Sequence, residues 1–268
     1  MALSKLVYDR KGSGETVVLI HGIGHRRQAW APIFDQLAER YDVIAVDLAG
    51  FGESPRYAKG VPYNMENACT DLAANFADWG VERPHVVGNS LGGAISLELA
   101  ARGLVSSATA LSPAGFFGRL DRFQALGTLT TLRLLSQAPD FVLRLVARTR
   151  LGRRLIGFVL YTNPQRFTAQ EAYHDALALK RCRGFGGVLK AGLRYRFGSV
   201  VDVPTTVAWG TKDRILPYSQ AARAEQVLPG ATHVPLADCG HVPMIDDPDL
   251  ILSLVEENIG RAAQTEAA

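Results

Sequence analysis

Only three cysteines occur in the 268-residue chain, Cys69, Cys182 and Cys239, odd in number and far apart. That spacing excludes a disulfide framework and a thiolate metal cluster, and it points to a reducing compartment. Histidines are equally sparse. His21, His25, His85, His174, His233 and His241 show no H-E-x-x-H or comparable spacing, so no metal site is expected. No apolar run approaches the length of a membrane span, and Met1 to Arg10 lack the apolar stretch of a signal peptide. A soluble cytoplasmic protein without a transmembrane segment is the expectation. No Walker A pattern occurs, and Gly22-Ile23-Gly24 lacks the third glycine of a dinucleotide fingerprint. With no nucleic-acid-binding motif and few aromatics among the basic residues, neither a cofactor nor nucleic acid is expected.

What the chain does contain is enough apolar sequence, 47 % by composition with 21 % charged, for one large core. Apolar runs at Leu3–Tyr8, Thr16–Ile20, Val43–Asp47, His85–Gly88 and Ser106–Leu111 read as strands, the first an edge strand. Helical spacing lies between them, at Gln28–Arg40, Asn64–Trp79 and Gly92–Arg102. Alternation of this kind means an α/β domain. After Ser112-Pro113-Ala114-Gly115 no strand pattern returns until Val203–Trp209. Residues 116–200 read as helices punctuated by Gly127, Pro139, Gly152, Gly157, Pro164 and Gly184-Phe185-Gly186-Gly187. An insertion at the carboxyl edge of an open sheet lies where such sheets bind ligands. The expected division is therefore a core of 1–115 and 201–268 with a helical cap of 116–200. Phe116, Phe117, Leu120 and Phe123 are its candidates for lining a substrate-binding pocket, although amphipathic packing alone would also explain them.

Acidic residues are scarce in that insertion. From Arg119 to Val200 fifteen Lys and Arg face four Asp and Glu, a net of +11 in a chain whose total is +3, leaving −8 elsewhere. Arg144, Arg148, Arg150, Arg153 and Arg154 are the densest group. Solvated helix faces with arginines lying over apolar neighbours account for this pattern. An anionic substrate, a carrier-bound one, or peripheral contact with anionic lipid would account for it too.

Chemistry enters at Gly88-Asn89-Ser90-Leu91-Gly92, between the run His85-Val86-Val87 and the helical Ala94 to Leu99. A serine at a sharp strand-to-helix turn is presented for attack, and the turn closes only if the residues two before and two after are nearly bare. The Leu91 amide, at the start of the helix, is aimed at any oxyanion formed there. Two partners must follow in the order acid, then base. Asp213 lies just beyond the strand Val207-Ala208-Trp209, and His241 lies in the loop after Thr232 to Ala237. His241 is the candidate general base and Asp213 the group that fixes its tautomer. Cys239, two residues earlier, reads as a small buried side chain because no turn presents it.

With His21-Gly22-Ile23-Gly24, Asp47-Leu48-Ala49-Gly50-Phe51-Gly52-Glu53-Ser54, the serine turn, Trp209-Gly210-Thr211-Lys212-Asp213 and Gly240-His241-Val242-Pro243 in this order, the chain resembles the α/β-hydrolase superfamily over nearly its whole length. The resemblance implies a mostly parallel eight-stranded sheet flanked by helices, with a helical cap inserted after the sixth strand. It assigns the second oxyanion amide to Ile23, with Gly24 the rival donor. Serine at the turn, where dehalogenases and epoxide hydrolases of the superfamily carry aspartate, implies an esterase-like or lipase-like serine hydrolase acting on a small carboxylic ester through an acyl-enzyme. Asn89 before the nucleophile is also seen in hydrolases that cleave carbon–carbon bonds of ring-fission products. That activity and acyl thioesterase activity are the alternatives, and a noncatalytic ligand-binding protein is a third.

Overall fold

The computed structural model describes residues 2–118, 120–163 and 166–266, so Arg119 and Pro164 lie outside the described residues. The first half alternates strand and helix: β1 (Tyr8–Lys11), β2 (Thr16–Ile20), a 3-10 turn (Arg27–Trp30), α1 (Ala31–Leu37), β3 (Asp42–Val46), α2 (Met65–Asp78), β4 (His85–Asn89), α3 (Leu91–Ala101) and β5 (Ser107–Leu111). Among the described residues five helices follow without a strand: α4 (Asp121–Leu135), α5 (Asp140–Arg148), α6 (Arg150–Gly157), α7 (Ala169–Arg181) and α8 (Phe185–Gly192). The sheet then resumes with β6 (Thr205–Gly210), α9 (Ser219–Val227), β7 (Thr232–Leu236), α10 (Pro243–Asp246) and α11 (Pro248–Glu266).

Strands β2 to β6 are apolar runs because helices cover both faces of the sheet. Period-two alternation sorts their side chains. Val17 and Leu19 pack with Trp30, Ile33, Ile251 and Val255 on the face of α1 and α11. Val18 and Ile20 pack with Leu72, Phe76, Ile95 and Leu99 on the face of α2 and α3. The order is β1-β3-β2-β4-β5-β6-β7, parallel except for β1 against β3. Chain direction across the sheet reverses between β2 and β4. A crevice opens at such a switch point, outside the carboxyl ends of the strands, and here it lies between the loop after β2 and the turn after β4.

Two sequence expectations need correction. The described sheet has seven strands rather than eight, and the helical segment follows the fifth of them rather than a sixth. The edge strand expected at Leu3–Tyr8 occupies Tyr8–Lys11, where Tyr8 pairs with Val46. The physical reason lies in the amides of the preceding residues. Ser4 donates to Asp71 Oδ1 (2.8 Å), Leu6 to Asn75 Oδ1 (3.1 Å) and Val7 to Ser54 Oγ (2.8 Å). Side chains there take the bonds a neighbouring strand would supply.

Candidate active site

The turn between β4 and α3 is possible because Gly88 and Gly92 have no side chains. Ser90 sits at φ 57° and ψ −111°, a conformation that non-glycine residues hold only under strain. A Cβ on Gly88 would overlap the Gly92 carbonyl, and one on Gly92 would overlap the Ile20 carbonyl. Hydrogen bonds pin the strained residue in place. Its amide donates to the Leu111 carbonyl (2.9 Å), and its carbonyl accepts from Ala94 and Ala114 (both 3.0 Å). Leu91 opens α3, so its amide has no carbonyl one turn earlier in the helix to bond.

The loop after β2 runs alongside, so close that a Cβ on Gly22 would come within 3.2 Å of Ser90 Cβ. His21 shapes this loop. Its Nδ1 lies 2.7 Å from the Gly22 carbonyl, and the Leu48 amide donates to Nε2 at 3.1 Å. A carbonyl can only accept and an amide only donate, so His21 is the neutral tautomer protonated on Nδ1. Burial agrees, pushing the imidazole down to about 4 against the opposing pull of Asp47.

Asp213 and His241 meet beyond the ends of β6 and β7. Asp213 Oδ1 accepts the amides of Ile215 and Leu216 (both 2.8 Å), while Oδ2 lies 2.7 Å from His241 Nδ1. Both side chains are buried. The two amides hold the carboxylate, which in turn directs the imidazole and leaves Nε2 as the ring's acceptor nitrogen when His241 is neutral. Asn89 joins this pair to the serine turn, because its amide nitrogen donates to the Leu111 carbonyl (3.2 Å) and to the His241 carbonyl (2.8 Å). Ser90, Asp213 and His241, spread over 151 positions of the sequence, thus all follow the carboxyl ends of parallel strands, β4, β6 and β7, at one end of the sheet.

Asp246 was not singled out in the sequence, and no motif would have marked it. Its carboxylate accepts the amides of Thr162 (2.9 Å), Asn163 (2.9 Å) and Gly240 (2.8 Å). It clamps the His241 loop to the helical segment, and the His241 amide itself donates to the Leu160 carbonyl (2.9 Å). Neighbouring Cys239 is buried and free, its thiol pushed up to about 12 by that burial, which is the inert state expected of it.

A cavity of about 390 Å³ opens from Ser90, Leu91 and Ile23 and is closed by helices of the inserted segment, among them Leu126 and Leu129 of α4 and Val188 and Leu189 of α8. Its wall is almost wholly apolar, and the exposed Lys190 and Arg194 stand among its lining residues. Of the expected pocket residues Phe117 lines it. Phe116 is buried behind the wall, with ring centroids 5.8 Å from Phe197 and 6.2 Å from Trp209. Leu120 and Phe123 are corrected outright, being 79 % and 70 % exposed and forming no part of the cavity. Helical spacing reveals that a stripe exists and is silent on which way it faces. Among the described residues no cluster of metal-ligating side chains occurs, and no helix is long and apolar enough to cross a membrane.

Known proteins match along nearly the whole chain. The profile of the alpha/beta hydrolase family covers residues 17–254. The dihydrolipoyllysine-residue acetyltransferase component of the acetoin cleaving system from Cupriavidus necator is 31 % identical over 258 residues, which cover 94 % of this chain and 66 % of that longer protein. The pimeloyl-[acyl-carrier protein] methyl ester esterase of Aeromonas hydrophila subsp. hydrophila is 28 % identical over 94 % of this chain and 98 % of its own length. Among solved structures, the esterase RhEst1 from Rhodococcus sp. ECU1013 superposes with a TM-score of 0.76 at 26 % identity, covering 96 % of this chain and 95 % of that one. The match of a profile spanning residues 17–254, on a chain with this sheet order, makes the protein a member of the alpha/beta hydrolase family.

Proposed function

We propose that the protein is a serine hydrolase that cleaves a carboxylic ester of modest size, with Ser90 as nucleophile, His241 as general base and Asp213 as the residue that orients it. The observation that carries the reading is Ser90, held at φ 57° with the apolar cavity on its open side. A fold spends strain of this kind where a side chain must be presented. The bond between Asp213 Oδ2 and His241 Nδ1 supports the assignment of base and orienter.

In the proposed reaction Ser90 Oγ attacks the ester carbonyl while its proton passes to His241 Nε2. The oxyanion of the tetrahedral intermediate is met by the amides of Leu91 and Ile23. Collapse breaks the bond to the leaving alkoxide, which takes the proton from the imidazolium, and leaves an acyl group on Ser90. Water then attacks that acyl group as His241 takes one of its protons. A second collapse releases the carboxylic acid and returns the proton to Ser90. The cavity's volume falls toward the lower end of the roughly 300–1,000 Å³ occupied by ligand pockets, which suits an acyl chain of modest length. Lys190 and Arg194 at its wall fit an anionic or carrier-bound group on the substrate, and the residues from 116 to 200 serve as its cap. The Asn89 amide is committed to two backbone carbonyls, so its place before Ser90 has a structural reason that does not depend on the bond cleaved.

Hydrolysis of a p-nitrophenyl ester series from short to long acyl chains, with Ser90→Ala in parallel, tests the reading. A chain-length optimum that vanishes in the variant, with loss of about 10⁴-fold or more in rate, is expected. Turnover of ring-fission dienoates or acyl thioesters in place of every ester overturns the ester assignment.

A further inference from the structure

Helices α5 and α6 form a consecutive pair joined at Thr149, whose Oγ1 accepts the Gly152 amide (3.0 Å) and starts the second helix. Both turn small or inward residues to the interior, Leu143 and Ala147 in α5, Gly152 and Gly157 in α6. Their outward faces are unusual. On α5 the exposed residues Phe141, Arg144, Leu145 and Arg148 stand at positions i, i+3, i+4 and i+7, one stripe of a helix. At the end of the pair Leu151, Arg154, Leu155 and Phe158 repeat that spacing. The five apolar side chains are between 54 % and 72 % exposed. Large apolar groups are thus interleaved with arginines on the solvent side.

From this arrangement we infer that the α5–α6 face docks on an anionic lipid bilayer, its leucines and phenylalanines entering the acyl boundary and its arginines resting among the headgroup phosphates. The charge of the face is complementary to such a surface. Asp140 is the only acid between Asp121 and Glu171, and it is engaged by Lys180 (2.7 Å) and Arg181 (3.2 Å). Helices that lie in a membrane interface combine these two features, an apolar stripe and flanking cations, on one surface. A second copy of the chain is a poor occupant, because a two-fold contact would set the same arginines against each other. The inference stands apart from the hydrolase reading, since binding is measured without turnover.

Cosedimentation of the full chain carrying Ser90→Ala with vesicles of phosphatidylcholine alone, or mixed equally with phosphatidylglycerol, tests it. Binding to the mixed vesicles, weak on neutral ones and released by salt, is expected. Each arginine near an anionic surface strengthens partition roughly fivefold, so Arg144→Gln/Arg148→Gln/Arg154→Gln loses about a hundredfold. Leu145→Ser/Leu151→Ser/Leu155→Ser loses binding as well, while circular dichroism shows both variants folded. Equal partition of native protein and both variants overturns the inference. So does absence of vesicle binding, whether the chain instead forms a dimer that the leucine variant dissolves or binds an acidic carrier protein through the arginines.

Discussion

Lowering the pH from about 7 to about 4 should remove roughly 3 kcal/mol of stability through His21 alone. The imidazole is buried between the Gly22 carbonyl and the Leu48 amide, which require it neutral, and its folded value is about 4 against 6.5 in an unfolded chain. Between those two values the unfolded state binds a proton that the folded state refuses. Stability therefore falls as the pH falls, at about 1.4 kcal/mol per pH unit, and the loss levels off once the native imidazole also protonates below about 4. Carboxylates titrate in the same range, so the measurement must be a difference. Urea unfolding of the native protein and of His21→Gln, at steps of pH across that window, isolates the histidine. The variant carries a constant penalty of about 1–3 kcal/mol for imperfect bonds to Leu48 and Gly22, and its pH slope lacks the histidine contribution. Parallel pH dependences in the two proteins would refute the reasoning.

Gly92→Ala should abolish activity and destabilise the fold by about 3 kcal/mol or more, because the new Cβ overlaps the Ile20 carbonyl and the backbone must move; thermal unfolding and ester hydrolysis read both effects. Asp246→Ala strands three amides that lock the His241 loop, so kcat should drop by about tenfold or more with little change in KM, and unchanged kinetics would show the clamp to be irrelevant to the loop. Leu129→Trp narrows the cavity beside α4 and should shift the preferred acyl group toward shorter chains in the p-nitrophenyl series. Cys69, Cys182 and Cys239 are all buried, so a thiol reagent should modify the native protein slowly and the urea-unfolded protein at once.

Sequence made the serine turn legible because its geometry constrains residue identity: only glycine fits at positions 88 and 92. Asp213 was legible because it follows a strand that is buried along its length, and His241 because it follows the next strand in the order a serine turn requires, although β7 is an edge strand with only Leu236 buried. The true edge strand was not. The apolar residues of Leu3–Tyr8 suggest a strand, but the segment before Tyr8 is held by Asp71, Asn75 and Ser54, contacts no local pattern encodes. Phe123 misled because an apolar stripe on a helix normally faces inward, whereas α4 buries only Ala125 fully and leaves Phe123 in solvent. Asp246 escaped because a carboxylate bonded to three backbone amides depends on where the chain passes, and backbone amides carry no sequence signature.

Intact-mass spectrometry of the protein quenched during turnover of a p-nitrophenyl ester tests the central claim most directly. A nucleophilic Ser90 gives a transient gain of one acyl group, mapped to the peptide containing Ser90 and missing from Ser90→Ala. Hydrolysis that persists in Ser90→Ala, or an acyl group found on another residue, would contradict it.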